Sequence, residues 1–468
     1  MEAETRVSDE GMRIVEHATC LGCGCTCDDI TVVVRGARIA EARHACPLGL
    51  AWFGDGQVPA RVISGGQDVD LDRALDDAAA LLGGGRSLVY LAGDLSCEVQ
   101  RAGVAIADQL HAALDTLTTA TALPGILAAQ RRGRSSATLG EIRNRADVLV
   151  FWGMDPARDY PRYTTRYALD PEGMYIPGGR RDRVVIAVDI GETRAIADAD
   201  ERVHFAADEE IVALSLMRAA VLGRPVAGTS PGDLATRVLD LVRRMTEARY
   251  LAVVADGEGS PTREPRRAEA LVTLTQALNG PTRCALSTLR AGNNRSGADA
   301  VLTWQTGFPL AVDFARGVPR YRPDDGAAAL LARHEIDVAL VLGNAATIPS
   351  AVTSALANIG CAVIGPRASE STFGPRIAID TGVAGIHEGG MAMRMDDVPL
   401  PLRPSIAGPA DTLTTVTALA RRLGRVTDDD GNSGSGRPGR TARVRTGGTP
   451  VPTRPHPPTS STPTEPVA

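Results

Sequence analysis

The stretch SLVYLAG at 87–93, followed by SCEVQRAGVAIADQLHAAL at 96–114, decides the fold. The first is an unbroken apolar run closing on glycine, which reads as a strand buried on both faces. The second repeats apolar residues at helical spacing. The same grammar returns in ADVLVFWG (146–153), RVVIAVDIG (183–191), ARYLAVVAD (248–256), IDVALVLGN (336–344) and CAVIG (361–365). Helical segments such as EEIVALSLMRAAVLG (209–223) and PTREPRRAEALVTLTQALNG (261–280) lie between them. Short buried strands alternating with helices predict an α/β protein with parallel sheets covered on both faces. These strands are too many for one compact sheet, so two Rossmann-like α/β lobes are expected, at 63–250 and 251–425. A small Cys-rich domain at 1–62 precedes them. Within it, ITVVVRGARIAEAR (30–43) reads as a hairpin turning at Arg35-Gly36. The segment 426–468, rich in Gly, Pro, Ser and Thr, offers too little apolar surface to offset its ordering entropy and reads as a disordered tail.

Composition narrows the function. The 468 residues are 44% hydrophobic but only 3% aromatic, so Ala, Val, Leu and Ile must pack the core. A net charge of -6 argues against nucleic acid or an anionic membrane as partner. All 50 basic residues are arginine, which excludes Schiff-base lysine chemistry and a Walker-type phosphate lysine. No run approaches the roughly 18 apolar residues of a membrane span, and the acidic N-terminus lacks a secretory pattern, so a cytoplasmic protein is expected.

The strongest local signal is CLGCGCTCDDI at 20–30 with ARHACPLG at 42–49. Cys20, Cys23 and Cys27 follow C-x2-C-x3-C, and Cys46 comes after the hairpin. Three thiolates on one tight loop and a distant fourth suit a 4Fe-4S cluster, whose corners each take one soft thiolate. Gly22 and Gly24 let the backbone wrap closely, and Cys25 is left over. Four cysteines also suit a structural zinc. A disulfide framework fits poorly without secretion, and an unmetallated loop is the plainest alternative.

These residues resemble the cluster segment in the B subunit of formylmethanofuran dehydrogenase, of the molybdopterin-oxidoreductase type. SCEVQRAG (96–103), TLGEIRNRADVLVFWGMDPARDYPRYTTRY (138–167) and GGRRDRVVIAVD (178–189) resemble that family in the same order. AGNNRSGADAVLTWQTGFPLAVDFARGVPRY (291–321) and AIDTGVAGIHEGGMAMRMDDVPL (378–400) continue the likeness. The resemblance implies two α/β lobes enclosing a cleft for a molybdopterin or tungstopterin guanine dinucleotide, a 4Fe-4S cluster on the four cysteines, and partner subunits of A, C and D type. It also implies a metal-ligating Cys-His-Gly-Pro, which an ungapped count places at Thr121-Ala122-Leu123-Pro124. Threonine is a poor substitute for a thiolate and alanine relays no proton. Cys97, at a strand-to-helix turn where a thiol pKa falls, is the one nearby thiol that merits comparison.

Four further features are candidates. Asp189 ends an apolar strand, where an acid commonly accepts from a nucleotide ribose. The turn Gly292-Asn293-Asn294-Arg295-Ser296-Gly297 precedes a helix and suits either a phosphate or a plain connector. Arg158, Arg162 and Arg166, spaced by four, suit either an anion or dinucleotide, or a solvated or subunit-contacting face. His44 sits beside Cys46, where it either bonds a cluster sulfur or caps the loop. His387-Glu388 lacks the second histidine of a zinc protease. The replaced Cys-His favours a non-redox, architectural B-type subunit of a formyltransferase/hydrolase complex, in tetrahydromethanopterin- and methanofuran-linked oxidation of formaldehyde to formate. The alternatives are a catalytic formylmethanofuran dehydrogenase subunit and a free-standing electron-transfer module.

Overall fold

The expected strands all form, but their neighbours are not the ones chain order suggests. In the computed structural model, which describes residues 5–7, 12–226, 233–258 and 266–431, the chain is a mixed α/β fold with several sheets. Five parallel strands run in the order Glu201–Phe205, Val184–Ile190, Val148–Trp152, Leu251–Asp256, Cys284–Leu289. Every residue of Val148–Trp152 is buried, as a central strand covered on both faces requires.

A nine-stranded sheet has a parallel core ordered Ala113–Thr116, Ser87–Leu91, Val338–Leu342, Gly360–Gly365, Ile377–Asp380. Antiparallel edge strands flank it, Val312–Asp313 on one side and Val62–Ser64 on the other. Strand pairing does not divide at 250/251, where one lobe was expected to end. Leu251 pairs with Val148, and Val338 pairs with Ser87. The five-stranded sheet is an insertion, spanning 148–289, into a unit built from 62–116 and 312–380. Alternation of strand and helix reveals a parallel sheet, but strand order depends on contacts across more than 200 residues.

Thr5–Val7, Met12–Ala18, Ile30–Arg35 and Arg38–Arg43 form a separate antiparallel four-stranded sheet in chain order. Its last hairpin pairs Arg35 with Arg38 across a turn in which Gly36 takes φ +59°, as read from the sequence. The loop carrying Cys20, Cys23, Cys25 and Cys27 joins its middle strands, Met12–Ala18 and Ile30–Arg35. A final helix, Thr412–Gly431, buries Val416, Leu419 and Leu423. It runs through the first residues of the expected tail, and 432–468 lie outside the described residues.

Candidate functional site

Cys20, Cys23, Cys27 and Cys46 all line one small cavity, together with Ile30, Ala45, Gly49 and Arg162. The loop closes through Cys20 N–H donating to Cys27 O at 2.9 Å, and Cys46 precedes the helix Pro47–Phe53. Gly49 matters here because a Cβ would sit 3.3 Å from Cys20 Sγ. Burial, with the neighbouring thiols, pushes the Cys20 thiol well up. A hydrogen bond from Cys25 brings Cys23 down, and Arg162 adds to that. Cys27 is raised by burial against the opposing pull of Arg162 and Arg166. Cys25 is fully buried and does not line the cavity. Among the described residues, no three Cys, His, Asp or Glu side chains converge closely enough to hold a single metal ion.

The arginine run divides between packing and solvent. Arg162 donates two 2.6 Å hydrogen bonds to Asp29, and Arg166 donates to Asp28 at 2.5 Å. Both guanidiniums therefore clamp the cysteine loop from the inserted unit. Arg158 stays exposed, beside Asp159. His44 caps the loop through Nδ1 and Asp29 O at 3.4 Å. On the loop's other side the packing is backbone to backbone. A Cβ on Gly24 would run into Arg290 O, and one on Gly292 would lie 2.7 Å from Cys23 Cα.

That packing suits the connector reading of the turn with Gly292, Asn293 and Gly297 over the phosphate one. Asn293 N–H donates to Leu21 O at 2.8 Å, so the turn is covered by the cysteine loop. Gly297 lies against the Asn294 side chain. Asn294 is itself a buried pin, donating to Leu95 O and accepting from Met393 N–H at 2.8 Å. Asp189 is likewise consumed. Its carboxylate accepts from Arg194 at 2.8 Å, Ala195 N–H at 2.8 Å and Arg202 at 2.7 Å, with none of it exposed. It closes the loop between two strands and offers nothing to a ribose.

Thr121 and Ala122 do face the principal cavity, of about 760 Å³, which lies against the carboxyl ends of the strands Leu251–Asp256 and Cys284–Leu289. A buried charge network lies against it, reaching its wall through Thr121, Arg290 and Asp299. Arg295 donates to Glu258 at 2.6 Å and to Thr121 Oγ1 at 3.4 Å, while Arg290 donates to Asp299 at 2.6 Å and to Thr118 at 3.0 Å. Glu258, Arg290 and Asp299 escaped the sequence reading. The available signal was a charged residue just past the carboxyl end of a parallel strand, where α/β ligands bind. No cysteine or histidine is among the cavity's lining residues. Cys97 is buried elsewhere, 3.6 Å from Asn294 Nδ2, and burial pushes its thiol up to about 11, opposite to the expected lowering.

Glu388 is the second carboxyl of note. Burial raises it to about 7, even though Thr412 N–H and Oγ1 donate to it at 2.8 and 2.7 Å. A folded-state pKa above the unfolded 4.5 means that stability present below pH 4.5 is lost as pH rises towards 7. Glu388→Gln is expected to remove that loss, about 3 kcal/mol at most. Its thermal midpoint should exceed that of the unmodified chain at pH 8 and not at pH 4.

No family model matches the chain. It is 32% identical over 420 residues to the B subunit of tungsten-containing formylmethanofuran dehydrogenase 2 from Methanocaldococcus jannaschii, covering 86% of this chain and 96% of that protein. The like-named protein of Methanococcus maripaludis is 29% identical over 430 residues, covering 89% and 99%. The B subunit of the formyltransferase/hydrolase complex Fhc from Methylorubrum extorquens is 30% identical over 284 residues, covering 60% and 73%. A chain in the crystal structure of the formyltransferase/hydrolase complex FhcABCD from Methylorubrum extorquens with methylofuran shares the fold. It gives a TM-score of 0.66 at 24% identity, over 78% of this chain and 99% of that one. With a cysteine loop docked on two interlocked α/β sheets, and with likeness running nearly end to end, the chain belongs to the family of formylmethanofuran dehydrogenase B subunits.

Proposed function

We propose that this chain is the B-type subunit of a methanofuran-linked one-carbon complex of the formyltransferase/hydrolase kind, working with A-, C- and D-type partners. In this reading it serves architecturally, without a molybdenum or tungsten centre. The observation that carries the reading is Thr121-Ala122 on the wall of the principal cavity, with no thiol among the cavity's lining residues. A hydroxyl and a methyl group cannot replace the soft ligand and proton relay that redox chemistry at a heavy metal requires. The spent Asp189 and Gly292 support the same conclusion.

The four cysteines suit a 4Fe-4S cluster. They line one small cavity, and such a cluster takes one soft thiolate per corner iron. Gly49 keeps the cavity clear, and Arg162 and Arg166 offset thiolate charge. When bound, such a cluster supplies electron transfer and a crosslink between the loop and Cys46. Here the crosslink is its proposed use.

The near full-length likeness to tungsten enzymes favours a second reading, a catalytic dehydrogenase subunit. Elemental analysis of the complex, purified through a tag on this chain, separates the two. About four irons per chain, no molybdenum or tungsten, and co-purifying formyltransferase- and amidohydrolase-like subunits are expected. Stoichiometric tungsten or molybdenum would overturn the architectural reading.

A further inference from the structure

A second chamber of about 300 Å³ adjoins the principal cavity. Arg134, Ser136, Leu286, Thr288, Met395 and Asp397 line both and so form the junction. The larger chamber is walled mainly by carbon, from Ile126, Leu271, Val272 and Leu286, with the exposed Trp304 at its rim. An apolar cavity with a few convergent polar groups is the usual form of a small-molecule site.

Arg134 differs from the cavity's other arginines. Arg267 and Arg290 are each paired with a buried acid, Glu210 and Asp299, at 2.6 Å. Among the described residues, the Arg134 guanidinium makes one hydrogen bond, to Thr288 Oγ1 at 2.9 Å, and pairs with no carboxylate. Asp397 shares the junction, and its charge partly offsets the burial and the neighbouring Arg290 that disfavour the Arg134 guanidinium. The backbone on both sides of Arg134 is nonetheless anchored. Ser135 O accepts from Leu286 N–H at 2.7 Å, Ser135 Oγ donates to Cys284 O at 2.6 Å, and Gln276 donates to Gly133 O at 3.2 Å. A guanidinium in no ion pair, at the mouth of an apolar chamber, keeps donors free for an anion.

We propose that the cavity binds an amphipathic organic anion, its apolar body in the larger chamber and its carboxylate, sulfonate or phosphate on Arg134. The assignment rests on the reading that no metal cofactor fills the cavity, which elemental analysis decides separately. The purified complex is titrated with 1-anilinonaphthalene-8-sulfonate and with N-phenyl-1-naphthylamine, the same apolar body without the charge. Arg134→Gln is expected to weaken the saturable sulfonate component about tenfold, the value of one charge-assisted contact. Binding of the uncharged probe should change less than twofold, which also shows that the variant is folded. Ala129→Trp, which fills the larger chamber, should remove the saturable component for both probes. Sulfonate binding unchanged in Arg134→Gln, or unchanged in Ala129→Trp, would overturn the pocket. Tungsten in the preparation would overturn only the metal-free reading.

Discussion

Gly24→Ala is expected to undock the cysteine loop and cost about 3 kcal/mol or more, at the upper end of what overpacking does. The added methyl meets the Arg290 carbonyl oxygen, a backbone atom just past the strand Cys284–Leu289, with Met395 Cβ 3.1 Å away on another side. Neither side can yield cheaply. The loop carries Cys20, Cys23 and Cys27, so it must retreat from Arg290 and Gly292 and carry three thiols away from Cys46. Two readouts follow: a lowered thermal midpoint and iron content well below that of the unmodified complex. Gly140→Ala is the control. It lies in the helix Leu139–Arg145 with its nearest neighbour 3.8 Å away, and should stabilise by about 0.5–1 kcal/mol. Equal iron in the two variants would refute the interlock.

Glu210→Ala is expected to cost about 3–5 kcal/mol, because it strands a buried guanidinium. Glu210 accepts from Arg267 at 2.6 Å and from the Trp152 indole N–H at 2.7 Å, and both ion-pair side chains are under a tenth exposed. Arg267 also donates to Trp152 O at 3.1 Å, joining two helices to the central strand of the five-stranded sheet. Pairing Glu210→Leu with Arg267→Met should recover most of the loss, since two apolar residues leave no charge unpaired. Chemical denaturation of the three proteins measures it. A double variant no better than the single one would place the cost in packing instead.

The site was partly legible before folding. CLGCGCTCDDI and Cys46 announced themselves by spacing, and the structure gathers those four cysteines around one cavity. Thr121 and Ala122 were located by counting back from Thr138, and they face the principal cavity. Asp189 and Gly292 stayed ambiguous because strand-end acids and glycine turns serve ligands and packing equally well. Their local sequence does not state whether Arg202 or Leu21 will occupy them. Arg134 passed unnoticed for the converse reason. Among 50 arginines, nothing local marks one that lacks a partner.

Local chemistry alone determined the strands, the Gly36 hairpin, the metal-ready cysteine spacing and the absence of a thiol at position 121. Each depends on the period of apolar residues or on the identity of a side chain, and both are written within a few residues. Tertiary structure decided that 148–289 is an insertion, that Arg162 and Arg166 clamp Asp29 and Asp28, and that Gly24 and Gly292 must be bare. Those outcomes depend on which surfaces meet across 100 or more residues of chain, where long-range burial and pairing choose among partners that local sequence treats as equivalent.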